Sequence, residues 1–254
     1  MDFIQVMLLA LVQGLTEWLP ISSSGHLVIA QALMGLTVPV AFDVLLHLGT
    51  LVSVLVYFWK DILAIARSVF SFDTKSMNFK LFLLVVAGST PTAIIGYAFL
   101  NFFESLFENP VSVGFAFLVT GALLLSTRFR RGNWDLDWLR ALVIGIVQGL
   151  AIAPGISRSG STISAGLLCG VKKVEAFRYS FLLSIPGVLG AALLKHKEIA
   201  LSDVNISALA GVTIAAVVGY LAIKFVSKMV LSDRFYLFSI YCFLAGIAVL
   251  IFFR

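Results

Sequence analysis

Val12–Gly35 reads VQGLTEWLPISSSGHLVIAQALMG, and Val147–Gly170 reads VQGLAIAPGISRSGSTISAGLLCG. An offset of 135 positions matches Val12 with Val147, Gln13 with Gln148, Gly14 with Gly149, Ser22 with Ser157, Ser24 with Ser159, Gly25 with Gly160 and Gly35 with Gly170. Each stretch sets a Ser/Gly-rich break inside an apolar segment. In the first, residues 3–19 are helical in character and end at Leu19-Pro20, because a proline disfavours helix for the residue before it. Ser22, Ser23 or Ser24 can cap a second helix that stops at Gly35. That arm has about a dozen residues, whereas a membrane crossing needs about 20. The spacing therefore predicts a re-entrant helix–loop–helix over 3–19 and 23–34, entering and leaving on one side. The alternative is a single span followed by a surface helix. Residues 137–153 and 159–169 repeat the pattern.

Working outward, three full spans are expected after the first pair, at 40–58, 79–103 (with Pro91 inside) and 111–127. Three follow the second pair, at 174–194 (with Pro186 inside), 204–227 and 235–253. Residues 60–78 read as a polar, basic linker. The expected fold is an all-α polytopic membrane protein, one domain over 1–254, with repeats at about 1–130 and 135–254. Each repeat has one re-entrant pair and three crossings. Three is odd, so the second repeat is inverted, an arrangement that sets broken helices near the bilayer midplane.

Composition agrees: 60% of the 254 residues are hydrophobic, 12% are charged and the mean hydropathy is +1.05. A soluble domain has far more polar surface to cover. The start of the chain lacks a basic region and carries Asp2, which argues against a cleaved leader. Cys169 and Cys242 lie in apolar runs and read as small core residues. On the predicted layout, fourteen of the 18 basic residues fall on one side, Lys195, Lys197 and Arg254 fall on the other, and Arg158 lies in the membrane. The positive-inside rule makes the basic side cytoplasmic, so both termini face outward. The basic residues sit in short loops between spans, which argues against nucleic-acid binding.

Arg158 is the most informative single residue. An arginine inside an apolar segment costs at least ~2.5–3.5 kcal/mol, so it needs an anionic partner or a function. Its planar fork suits phosphate oxygens, and the start of the short helix presents free N–H groups and a positive dipole end. Glu17 is the matching acid, one helical turn after Gln13. A carboxylate beside a phosphate repels it unless a hard cation bridges them, and Mg2+ or Ca2+ fits that role with Glu17 as ligand. The bland reading is a Glu17–Arg158 pair that only staples the fold. Ser23 and His26 share a face at the mouth of the short helix, which suits a hydroxyl nucleophile activated by an imidazole. The bland reading is a serine cap with a packed histidine. Ser22, Ser24 and Gly25 in one break, and Ser157, Ser159, Gly160 and Thr162 in the other, are expected phosphate contacts, with Gln13 and Gln148. Asp43 and His47, one turn apart, read as a satisfied polar pair or as groups that orient a site residue. Glu104 and Glu108 read as boundary charges.

VQGLTEWLPISSSGHL and APGISRSGSTIS resemble the two signature motifs of the undecaprenyl-diphosphatase, or bacitracin-resistance protein, family. FDVLLHLGTLVSVLVYFWKDI and YSFLLSIP are similar to that family as well. The resemblance covers essentially the whole chain. It implies a membrane phosphatase that converts undecaprenyl diphosphate to the monophosphate, recycling the lipid carrier of cell-wall glycans. It also implies an inverted-repeat fold, a site opening to the outer face, and functional roles for Glu17, Ser23, His26 and Arg158. Some members have a second glutamate where this chain has Gln13, so a mechanism needing two carboxylates on the first helix conflicts with this sequence. The phosphatidic acid phosphatase type does not match, since Ser164 stands where it needs a histidine and its lysine motif is missing. The rival class is a lipid or small-anion transporter or flippase on the same inverted repeat; a third reading is a protein that only sequesters the lipid diphosphate. A homodimer is compatible with the sequence.

Overall fold

The computed structural model describes residues 2–107, 109–195 and 206–253; Glu108, Lys197 and Arg254 lie outside the described residues. The helices are α1 (Phe3–Trp18), α2 (Ser23–Met34), α3 (Val40–Tyr57), α4 (Trp59–Phe70), α5 (Met77–Ala98), α6 (Leu100–Phe107), α7 (Pro110–Ser126), α8 (Trp138–Leu150), α9 (Arg158–Leu168), α10 (Lys173–Leu194), α11 (Ile206–Leu231) and α12 (Phe238–Phe252). Among the described residues the only β pairing is an isolated bridge between Trp134 and Val171. Six helices, α3, α5, α7, α10, α11 and α12 with their flanking turns, are long and apolar enough to cross a membrane. The chain is a multi-pass all-α membrane protein.

Local chemistry explains both short pairs. Ser22 caps α2 by accepting from Gly25 N–H, and Ser157 caps α9 by accepting from Gly160 N–H. Gly35 and Gly170 take positive φ (63° and 76°) where α2 and α9 have ended, a conformation open to glycine at no steric cost. α2 doubles back along α1, so that Val6, Leu9 and Ala10 share one core with Leu27, and Met34 packs against it. α2 has 12 residues and α9 has 11. At 1.5 Å per residue neither reaches much beyond half of a ~30 Å hydrocarbon core. α9 is rich in serine and threonine, and Ser159 through Leu167 are all buried inside the protein. Within a hydrocarbon core, a polar segment of this kind persists only when other protein shields it from lipid.

The long helices pack in pairs that follow the 135-residue offset: α1 lies on α11 and α8 lies on α5, while α7 and α12 pack on each other. The α5–α8 crossing is close. A β-carbon on Gly145 would run into the Gly88 carbonyl. Thr92 Oγ1 donates to both Gly88 O (3.0 Å) and Gly145 O (2.8 Å), tying the crossing. Small residues are what let membrane helices approach this far. Gly145→Ala is therefore expected to lower stability by about 1–3 kcal/mol, the range for overpacking. Thermal unfolding in detergent checks it, and an unchanged midpoint would contradict this contact.

Two sequence expectations need correction. The linker read over 60–78 holds a helix, α4. Ile62 and Ile65 pack against the main core while Lys60 and Arg67 stay exposed, so the segment is an amphipathic helix along the bundle. The span expected over 79–103 begins and ends earlier, as α5, and a separate eight-residue helix, α6, follows the break at Phe99. Pro91 and Pro186 are accommodated inside α5 and α10.

Ion pairs outside the helix breaks sort into two ends. Asp233 meets Lys173 (2.5 Å) and Arg130 (3.5 Å), Asp61 meets Arg178 (2.6 Å), and Asp135 meets Lys172. All four of those cations belong to the basic side of the predicted layout. Lys195, assigned to the other side, meets Glu104 at 2.8 Å.

Candidate active site

The two helix breaks touch. Ser159 Oγ, in the second, donates to Leu19 O in the first at 3.2 Å. A β-carbon on Gly25 would meet Gly155 Cα at 3.0 Å and Phe117 Cζ at 2.8 Å, so only glycine lets these backbones approach.

Glu17 sits at the contact, with a side chain 5% exposed. Arg158, from the first turn of α9, donates to Oε1. Ser23, from the first turn of α2, donates to Oε2 at 2.5 Å. Gln13 Nε2, one turn back on α1, donates to Oε2 at 3.1 Å. His47 Nε2, from α3, lies 3.6 Å from the same oxygen. Four helices thus converge on one carboxylate. Ser23 and Arg158 are matched by the 135-residue offset, so equivalent positions of the two short helices reach Glu17 from opposite sides. A buried carboxylate is tolerable only with such partners. The guanidinium of Arg158 also stacks on Trp18, 4.7 Å from the ring centroid, and the Trp18 indole is held by a 2.8 Å bond to Ser53.

His26 is placed differently. Its Nδ1 lies 2.7 Å from Ser22 O and its Nε2 2.6 Å from the Tyr241 hydroxyl. A carbonyl only accepts, so the ring proton is on Nδ1 and Nε2 accepts from Tyr241. The ring also stacks on Tyr241 and meets Phe117 edge-on. Both nitrogens are engaged, and the Ser23 hydroxyl belongs to Glu17 instead.

The remaining expected contacts divide. Ser22 Oγ touches Ser24 Oγ (3.2 Å). Ser22 itself has φ 68°, a region that costs a non-glycine residue about 1–3 kcal/mol and clusters at functional sites. Ser157 N–H donates to Thr120 Oγ1 (3.1 Å), and Thr162 Oγ1 pairs with Ser180 Oγ (2.5 Å). These groups build the floor of the second break and do not reach the Glu17 carboxylate. Gln148 is held apart, its Nε2 3.3 Å from both Thr92 Oγ1 and Leu183 O.

Two groups at the site escape sequence reasoning and one is read only in part. His47 is half legible from its spacing to Asp43, yet the Asp43 carboxylate turns to Gln31 (3.2 Å) and leaves His47 facing Glu17. Trp18 follows Glu17 directly, and its role beneath Arg158 has no sequence signal. Tyr241 lies in an apolar run 215 positions from His26, with nothing to mark it.

The family model for bacitracin resistance protein BacA matches residues 6–248. The chain belongs to this family. Relatives named undecaprenyl-diphosphatase align along nearly its whole length. That of Desulfosudis oleivorans is 44% identical over 265 residues, covering 97% of each chain. That of Halothermothrix orenii is 43% identical over 260 residues, 99% of this chain and 98% of the relative. That of Methanosphaera stadtmanae is 41% identical over 270 residues, 99% of this chain and 98% of the relative. The BacA family match spans both helix breaks, so the convergence on Glu17 lies wholly within it.

Proposed function

We propose that the chain is an integral-membrane phosphatase that hydrolyses a polyprenyl diphosphate, of the undecaprenyl class, to the monophosphate and inorganic phosphate. The observation that carries this reading is Glu17 bonded at once to a serine hydroxyl and an arginine. A hydroxyl within hydrogen-bond reach of a base is the arrangement of an activated nucleophile. An arginine beside it supplies a fork for phosphate oxygens. When the diphosphate enters, Arg158 exchanges the carboxylate for the phosphate and frees Glu17 to act as base. Ser23 Oγ attacks the terminal phosphorus as its proton passes to Glu17. The anhydride P–O bond breaks, and the lipid monophosphate leaves with the bridging oxygen. Glu17 hands that proton to the departing monophosphate, and water then attacks the phosphoserine, losing its own proton to the freed carboxylate. The P–Oγ bond breaks, inorganic phosphate is released, and Glu17 returns the proton to Ser23 Oγ. His26, whose Nε2 accepts from Tyr241, fixes the first turn of α2 through Ser22 O.

A divalent cation, Mg2+ or Ca2+, fits this site in part. Gln13 Oε1 is buried without a hydrogen-bond partner beside the carboxylate, an oxygen of the kind hard cations take. Among the described residues no three His, Cys, Asp or Glu side chains converge, so most of the shell has to come from the substrate. Glu17 and Gln13 would hold the ion, whose chemistry is to neutralise charge on the diphosphate.

In the membrane, the two short pairs read as re-entrant hairpins of an inverted repeat, with the site open to the outer face. The paired packing of α1 on α11 and α8 on α5, and the sorting of ion pairs into two ends, support that reading. The transporter reading is not favoured: the relatives are named for hydrolysis, and a carrier needs no serine bonded to a carboxylate. Phosphate release from a polyprenyl diphosphate by the purified protein tests the function. In that assay Ser23→Ala is expected to lose on the order of 10³-fold in turnover or more. An unchanged rate would move the attack from Ser23 to water.

A further inference from the structure

α4 ends in a turn that its own sequence disfavours. Phe72 N–H donates to Val69 O (3.2 Å) and Asp73 N–H donates to Ser68 O (3.0 Å), the paired closure of a left-handed helix end, and Phe72 takes φ 51°. The same closure falls on Gly35 after α2, on Gly170 after α9 and on Asp233 after α11. A bulky residue in this region is an outlier, and strain that the surroundings hold in place points to function. Here Thr74 N–H donates to Phe72 O at 2.8 Å, and Ser76 N–H and Oγ donate to Asp73 O at 3.1 and 2.9 Å. The ring held by this turn is 81% exposed, next to Phe70 at 85%.

The outward stripe of α4 mixes two kinds of side chain. Trp59, Leu63 and Phe70 are exposed, with Lys60 and Arg67 among them. Apolar groups are costly in water and cations are costly in hydrocarbon, so the layer that suits both is the headgroup region of a bilayer. The inner face of α4 is already fixed, since Ile62 and Ile65 pack on the core and Asp61 pairs with Arg178. Elsewhere at this end Arg130, Arg140, Lys172 and Lys173 have carboxylate partners within the protein. Lys60, Arg67 and Lys75 make no ion pair among the described residues, and the one carboxylate left between 59 and 77 is Asp73.

We infer that α4 and the turn at Phe72 form a docking surface for anionic phospholipid. The outward stripe and the Phe72 ring sit at the acyl boundary, and Lys60, Arg67 and Lys75 meet the headgroup phosphates. The unpaired cations select anionic over zwitterionic lipid, and the strained turn keeps the ring presented to the leaflet. This surface lies outside the Glu17 site and is independent of the phosphatase reading.

The test places the full-length protein in vesicles of equal parts phosphatidylcholine and phosphatidylglycerol, with bromine on the chains of one lipid or the other. Emission from Trp59 is isolated by subtracting the matching protein that carries Trp59→Phe. Brominated phosphatidylglycerol is expected to quench it at least about twofold more than brominated phosphatidylcholine. Each cation near the surface is worth about a fivefold preference for anionic lipid, so Arg67→Gln combined with Lys75→Gln should abolish the difference, as should high salt. Phe72→Gly should melt no lower than the parent in neutral detergent, because glycine fits φ 51°, while quenching by brominated phosphatidylglycerol falls. Equal quenching by the two lipids would make the surface a non-selective contact, and no quenching would leave it in water; either overturns the proposal. A preference that survives loss of both cations, or a lower midpoint for Phe72→Gly, would overturn the roles given to those residues.

Discussion

Glu17→Asp is expected to fold like the parent and to release phosphate about 10²- to 10⁴-fold more slowly, the contribution of a positioned general base. The substitution keeps a negative charge for Arg158 and removes one methylene. Arg158 is long, half-buried and stacked on the Trp18 ring, so it can follow a shortened carboxylate. Ser23 cannot, because it is the first residue of α2, seated behind the strained Ser22 cap. The 2.5 Å bond between them lengthens past useful proton transfer. The loss should fall on kcat rather than on KM, since Arg158 still meets the phosphate. A folded Glu17→Asp protein with parental turnover would end the proposal that this carboxylate takes the serine proton. The comparison with Glu17→Gln is informative in the other direction. That change keeps the length and removes the charge, so it should also weaken the fold.

Much of this site can be read from the chain because its parts are local. The matched breaks, their serine caps and the glycines that stop α2 and α9 all come from residues within a turn of one another. The offset also explains a difference that the Ile-Ser pairs at 21–22 and 156–157 conceal. Position 155 is glycine and takes φ 89°, so the second break turns there and Ser157 stays relaxed. The matched position in the first break is Pro20, whose ring holds φ at about −65°. The turn is passed on to Ser22. What stayed illegible is tertiary. α4 and α6 bury only one stripe each, and charged or aromatic residues on their other faces made them look like linker or span end. Asp43 and His47 have the spacing of a mutually satisfied pair, and only the approach of Gln31 separates them. Tyr241 reaches His26 from α12 across the whole length of the chain.

The pair of Glu17 and Arg158 decides between chemistry and mere cross-linking. Arg158→Met alone leaves the buried carboxylate facing a thioether, and breaking a buried pair in this way costs about 3–5 kcal/mol. Glu17→Gln alone strands the guanidinium, with a somewhat smaller loss because that side chain is 17% exposed. In the double variant neither charge remains. Methionine can lie on the Trp18 ring, where sulfur–aromatic contact is favourable, and the amide introduced by Glu17→Gln can still bond Ser23 and Gln13. The double variant should therefore be more stable than the sum of the single losses implies, by a coupling on the order of 0.5–3 kcal/mol. Thermal unfolding of the four proteins in one detergent measures it. Phosphate release read on the same samples is the discriminating quantity. If the pair were a staple, turnover would recover along with the melting midpoint. On the present reading the double variant regains part of the melting midpoint and hydrolyses nothing above background, because the base and the phosphate fork have gone together.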